Sequence, residues 1–187
     1  MKVTVEKPSV ITLLYQQEKT DADYGSCLWA RFYIDTKNYT LSIESDCGNY
    51  VHGWLPTPDS ESFIQLLARM DQGYLLYKIS NESVIDGDAT AAAVLELVKE
   101  YAECECIDLD KWDLEQISDA CHHHNDERDL VAAVLDAVIS TPLRKALETD
   151  TYDLYSAVVK DYPTNAKKIT EVFADCIRPV VKTLEVQ

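Results

Sequence analysis

No apolar run in this 187-residue chain approaches the roughly 18–20 residues that a membrane-spanning helix needs. The opening residues, Met1-Lys2-Val3-Thr4-Val5-Glu6-Lys7-Pro8, also lack the continuous apolar core of a secretory leader. A soluble, cytoplasmic protein is therefore expected. With only five glycines and six prolines, low complexity and long disordered stretches are excluded. No glycine-rich phosphate loop occurs anywhere. Basic clusters are missing as well: Arg144-Lys145 and Lys167-Lys168 are the only adjacent pairs. Direct binding to nucleic acid or to an anionic membrane is thereby disfavoured, because both need grouped lysine and arginine.

Acid is abundant instead. The net charge is −16, and it is unevenly spread. Residues 1–80 hold ten acids and seven bases, whereas residues 81–187 hold twenty-three acids and ten bases. Between Tyr101 and Leu130 the carboxylates are Glu103, Glu105, Asp108, Asp110, Asp113, Glu115, Asp119, Asp126, Glu127 and Asp129, against Lys111 and Arg128 alone. Carboxylates on helices can be spaced much like duplex phosphates and would attract a basic nucleic-acid groove at long range. The plainer alternative is a solvated acidic face that keeps the protein soluble.

The hydrophobic pattern gives an α+β fold. Ser9–Gln16, Cys27–Asp35, the alternation Tyr39/Leu41/Ile43, and Tyr50–Leu55 read as four strands joined into an antiparallel meander. In the second, Leu28, Ala30, Phe32 and Ile34 share a face. Asn38 is the residue expected to take left-handed backbone in the first reversal, and Gly48 in the next. From Asp59 or Ser60, a candidate N-cap, the period becomes helical through Phe63, Leu66, Leu67 and Met70. A second helical piece covers Gly73–Ser80. The polar stretch Asn81–Gly87 is the expected boundary between a sheet-plus-helix part (1–80) and an acidic all-helical part (81–187), unless the two make one compact unit. Helices follow over Asp88–Cys104, over Leu109–His123 with Asp108 or Asp110 as its cap, over Asp126–Ser140, from Thr141-Pro142, over Thr151–Tyr162, and from Thr164 until Pro179 interrupts.

The strings Ser45-Asp46-Cys47-Gly48-Asn49-Tyr50, Trp54, Phe63-Ile64-Gln65-Leu66-Leu67-Ala68-Arg69-Met70-Asp71 and Tyr74-Leu75-Leu76-Tyr77-Lys78-Ile79 resemble a group of small proteins encoded by phages and prophages. The tail Asp161-Tyr162-Pro163-Thr164-Asn165-Ala166-Lys167-Lys168, with Arg178-Pro179, is similar to the same group. The resemblance implies a phage accessory product working in a bacterial host cell. It implies no chemistry.

Chemistry is thinly represented. The six cysteines (27, 47, 104, 106, 121, 176) read as reduced thiols, with Cys176 as a small buried hydrophobe. Cys104-Glu105-Cys106 and Cys121-His122-His123-His124 suggest a zinc-stabilised regulator or small hydrolase, but the one-residue spacing points the two thiols to different helix faces. Glu44 and Asp46 near His52 are a weak hydrolase pattern. Trp29, Tyr33, Tyr50 and Trp54 are either a recognition patch or core under the covering helix. Arg69, Asp71 and Lys78 are expected to brace helix against hairpin. Val131, Leu135 and Val138 offer an apolar face for a homodimer. The combined expectation is a binding protein without catalysis, cofactor or metal. Its ten acids would occupy the basic nucleic-acid-binding surface of a host protein, as DNA-mimicking anti-restriction or anti-CRISPR inhibitors do.

Overall fold

The computed structural model describes Val3 and residues 9–56 and 61–184. The architecture is α+β, with an antiparallel sheet first and helices after it. Two compact units divide the chain: Met1–Asn81 together with Tyr162–Gln187, and Glu82–Asp161.

The first unit starts with strands β1 (Val10–Gln16), β2 (Trp29–Asp35), β3 (Thr40–Ser45) and β4 (Gly48–Gly53), paired in that order. Their register stacks Leu13, Phe32, Ile43 and Tyr50 in one row, and Ile11, Ile34, Leu41 and His52 in the next. Period-2 alternation thus delivers one apolar face, in which Ala30, Phe32, Ile34, Leu41 and Ile43 are buried. Leu28 precedes β2 and stays exposed, outside the face expected for it. In the β2–β3 turn the left-handed residue is Tyr39 (φ 51°), not Asn38. Its ring stacks on Phe63 at 5.2 Å and its hydroxyl donates to the Glu61 carbonyl at 2.9 Å, contacts that an asparagine could not supply. Gly48 has φ 111° as expected, directly after the Asp46-Cys47 turn.

Helices α1 (Phe63–Arg69) and α2 (Gln72–Ile79) follow. The helix start expected at Asp59 or Ser60 lies outside the described residues. Within them Ser62 caps α1: its hydroxyl accepts the Gln65 N–H at 3.2 Å, and the Gln65 side chain accepts the Ser62 N–H at 2.9 Å.

The second unit runs β5 (Val84–Ile85), α3 (Gly87–Cys104), α4 (Lys111–Ala120), α5 (Glu127–Ala137), α6 (Thr141–Thr149), α7 (Thr151–Ser156) and β6 (Lys160–Asp161). Its core is Val94, Val98, Ile117, Leu130, Val134, Leu143, Leu147 and Leu154. β5 pairs antiparallel with β6, Asp86 N–H donates to the Val159 carbonyl at 2.9 Å, and Thr90 Oγ1 accepts the Val159 N–H at 3.0 Å. The unit is therefore an insertion whose two ends are fastened to each other.

The chain then returns to the first unit as α8 (Thr164–Val172), a π turn (Phe173–Ile177) and α9 (Arg178–Leu184). This differs from the expected division at residue 80, under which the tail belongs with the acidic helices. The reason is the tail's apolar stripe: Ile169, Phe173, Ile177 and Val181 are buried in the sheet's own core. Phe173 meets Phe32 with ring centroids 6.2 Å apart. Pro179 does not interrupt the helix. A proline clashes with the carbonyl four residues back, and the wider π turn just before it leaves that carbonyl room. Cys176 lies in that turn and is exposed, not buried.

Candidate functional site

Counted by unit, the charge is more lopsided than by halves of the sequence. Glu82–Asp161 holds twenty acids against six bases, net −14, leaving only −2 for the rest of the chain. The ten candidate carboxylates all lie in this unit, nine of them at the ends and junctions of α3, α4 and α5 and Glu115 in the middle of α4. Eight are exposed; Asp113 and Glu127 are half-buried.

Their positions sort them by what they do for the fold. Asp110 and Asp113 form a capping box at the start of α4, each accepting the other's N–H, at 2.8 and 3.3 Å. Asp126 caps α5, accepting the N–H groups of Arg128 (2.8 Å) and Asp129 (3.4 Å), and Glu127 and Asp129 stand in that helix's first turn. A helix N-terminus carries partial positive charge, so these five stabilise the fold where they stand. Glu127 also pairs with Lys160, and Glu115 with Lys111 at 3.1 Å. Replacing Asp126 with alanine is expected to lower stability by about 1 kcal/mol, as loss of an N-cap does; urea unfolding measures it.

The remaining four are of another kind. Glu103 and Glu105 occupy the last turn and C-cap of α3, and Asp119 the last turn of α4. Neither turn contains a base, so three carboxylates face the negative end of a helix dipole. Asp108 is exposed in the α3–α4 loop. Among the described residues none of these four is in an ion pair. The α3 end is held without help from them. Cys106 takes φ 55°, its N–H donates to the Glu103 carbonyl, and Ile107 N–H donates to Ala102 at 2.8 Å, a Schellman motif.

The cysteine–histidine segment does not assemble. Cys104 and Cys106 are exposed, Cys121 is buried alone in the core, and among the described residues these donors form no convergent trio. His122 is occupied by the fold instead: Nδ1 donates to the Ser118 carbonyl at 2.8 Å and Nε2 meets Asp88 Oδ1 at 3.1 Å. The Asp88 carboxylate first, then the Ser118 carbonyl, raise the imidazole above its ordinary pKa of 6.5. A raised value stabilises the folded state fully below the ordinary pKa and loses that contribution as pH rises through the folded-state value. The melting temperature of the native chain is thus expected to approach that of a His122→Gln variant above neutrality and to exceed it below; parallel thermal melts across pH 5–9 check it.

The other candidates resolve into structural parts. Trp29 lies on the open face of the sheet with the Arg31 guanidinium 5.6 Å from its ring, and Tyr33 donates to Glu44 at 3.0 Å. Tyr50 and Trp54 pack against the core, with Trp54 5.5 Å from Phe63, so the four aromatics do not share a patch. Glu44 pairs with Arg31 and Asp46 accepts backbone N–H groups, while His52 sits edge-on to Trp54; the three form no acid–base group. Arg69 pairs with Glu61, Asp71 caps α2 and Lys78 stacks over Tyr74 and Tyr77, so these side chains form no ion pair with the hairpin; Lys78 meets it through its backbone, which is hydrogen-bonded to the His52 ring on β4. Val131 and Val138 are buried in the second unit's core and Leu135 packs against it, which removes the expected dimer face. No described helix is long and apolar enough to cross a membrane.

A family model, Phage_phiTE_072, described as a phage family, matches residues 3–183. No curated protein and no solved structure matches.

Proposed function

The chain belongs to that phage family, and from this premise we propose that it is a non-catalytic accessory protein that sets its acidic unit against the basic, nucleic-acid-binding surface of a host defence protein. The observation that carries the reading is the placement of Glu103, Glu105 and Asp119. Acids at helix N-termini are explained by folding alone. Acids at helix C-termini work against folding, by roughly 0.3–1 kcal/mol each. At the end of α4 the protonated His122 offsets part of this beside Asp119, while the last turn of α3 holds no base to do so for Glu103 and Glu105. A polyanionic face that competes with phosphates supplies a reason for them to be there, since attraction between unlike surfaces speeds encounter and selects partners. The confinement of nearly all the net charge to one unit supports the same reading. Such a partner has the chemistry of an anti-restriction or anti-CRISPR target.

The experiment is affinity capture from a bacterial lysate at low and high salt, with a Glu103→Lys/Glu105→Lys/Asp108→Lys/Asp119→Lys variant in parallel. The expected result is a nucleic-acid-binding protein held by the native chain at low salt, released at high salt, and absent from the variant. Capture that ignores both salt and charge reversal overturns the reading.

A further inference from the structure

The first unit contains a cluster that none of the above uses. Cys27, just before β2, and Asp46 and Cys47, in the β3–β4 turn, bring two sulfurs and a carboxylate oxygen within 4.8 Å of one another. Cys27 Sγ lies 3.6 Å from Asp46 Oδ1. A tetrahedral zinc ion with Zn–S about 2.3 Å and Zn–O about 2.0 Å sets that sulfur–oxygen edge at about 3.5 Å and the sulfur–sulfur edge at about 3.8 Å. The Cys27–Asp46 edge is already in place; the Cys47–Asp46 and Cys27–Cys47 edges lie within 4.8 Å and would close by side-chain rotation. We propose that Cys27, Cys47 and Asp46 bind a thiolate-preferring divalent cation of the zinc class, with a fourth position left to water.

The surroundings fit such a site. Both cysteines are buried and Asp46 is exposed, which leaves the ion a route in from the carboxylate side. Asp46 is held in position by the backbone: Oδ2 accepts the Leu28 N–H at 2.8 Å and Oδ1 the Trp29 N–H at 3.3 Å, and Oδ1 gains a lone pair for the ion when the Cys27 S–H that it also accepts loses its proton. Without an ion the thiols are satisfied as weak donors, Cys47 to the Ser26 carbonyl at 3.2 Å and Cys27 to Asp46. Binding would replace those contacts: two S–H protons leave to solvent, two sulfur–metal bonds form, and no electron changes hands. Two thiolates and one carboxylate then outweigh the 2+ charge by one. The mechanical result is a clamp between the start of β2 and the β3–β4 turn, segments otherwise joined here by Asp46 and by the Cys47 thiol on the Ser26 carbonyl.

The test uses the full-length chain, kept reduced, with cadmium as an ultraviolet probe of thiolate ligation and zinc as its competitor. A charge-transfer band saturating at one equivalent is expected, unchanged in a Cys104→Ser/Cys106→Ser variant and displaced by zinc. X-ray absorption of the zinc-loaded native chain is expected to show two sulfur neighbours plus oxygen, a readout independent of whether any Cys27 or Cys47 variant folds. Asp46→Asn is expected to weaken the ion by about tenfold or more, the scale on which ligand support acts. No saturating band, a band that disappears with Cys104 and Cys106, or a zinc shell without two sulfurs overturns the proposal.

Discussion

Reversing Glu103, Glu105, Asp108 and Asp119 to lysine is expected to abolish capture of the basic partner while leaving the chain at least as stable as before. The two halves of that result have one cause. Lysines at the ends of α3 and α4 replace unfavourable charge–dipole contacts with favourable ones, each by about 0.3–1 kcal/mol, so the melting temperature holds or rises. The net charge falls from −16 to −8, all of the change being within the second unit. Long-range steering raises association rates by about 10- to 10³-fold and fades once salt shortens the Debye length well below about 10 Å. The variant should lose most of that gain in stopped-flow or surface-based kinetics. A variant that melts early means that the carboxylates belong to the fold; one that melts normally and still binds means that they do nothing for recognition. The same exchange at Asp110, Asp113 or Asp126 is uninformative, because those side chains cap helices.

Phe173→Ala is expected to destabilise the first unit by about 3–5 kcal/mol, the range for removing a buried aromatic ring. A domain's whole stability is commonly about 5–15 kcal/mol, so much of the margin goes with one ring. Phe173 is fully buried, sits in the π turn more than a hundred residues downstream of β2, and meets Phe32 ring to ring. If the tail were an appendage of the acidic helices, near-ultraviolet signals from the sheet's Tyr39 and Trp54 would be untouched. Their loss at lowered denaturant identifies the tail as part of the sheet's core. Val180→Ala, at a largely exposed position on α9, is the control and should change stability by no more than about 0.5 kcal/mol.

The strands and most helices were legible because their signals are local. Alternation wrote β2 and β3 into the sequence, and the 3.6-residue stripe wrote α3 and α5. Which core a helix joins is not local. The stripe Ile169–Phe173–Ile177–Val181 reads the same whether it covers a sheet or other helices, so the tail's return was hidden. β5 and β6 are two residues each, too short to show a period. The cap of α4 was legible at Asp108 or Asp110, and Asp110 is that cap; the roles of Asp113 and Asp126 could also have been read from spacing, and counting all ten acids as one surface missed them. The Cys27–Asp46–Cys47 cluster had a signal only in its second half, a carboxylate and a thiol at a glycine turn. Cys27 arrives from nineteen and twenty positions away by strand pairing, which no ligand-spacing rule anticipates.

The measurement closest to the central claim is a competition on the captured host protein itself. That protein is loaded with its fluorescently labelled nucleic acid and titrated with the native chain while anisotropy is followed. The nucleic acid is expected to be released as the chain binds, and to stay bound when the chain with Glu103, Glu105, Asp108 and Asp119 reversed is added instead. A ternary complex, with chain and nucleic acid on the host protein together, would contradict it.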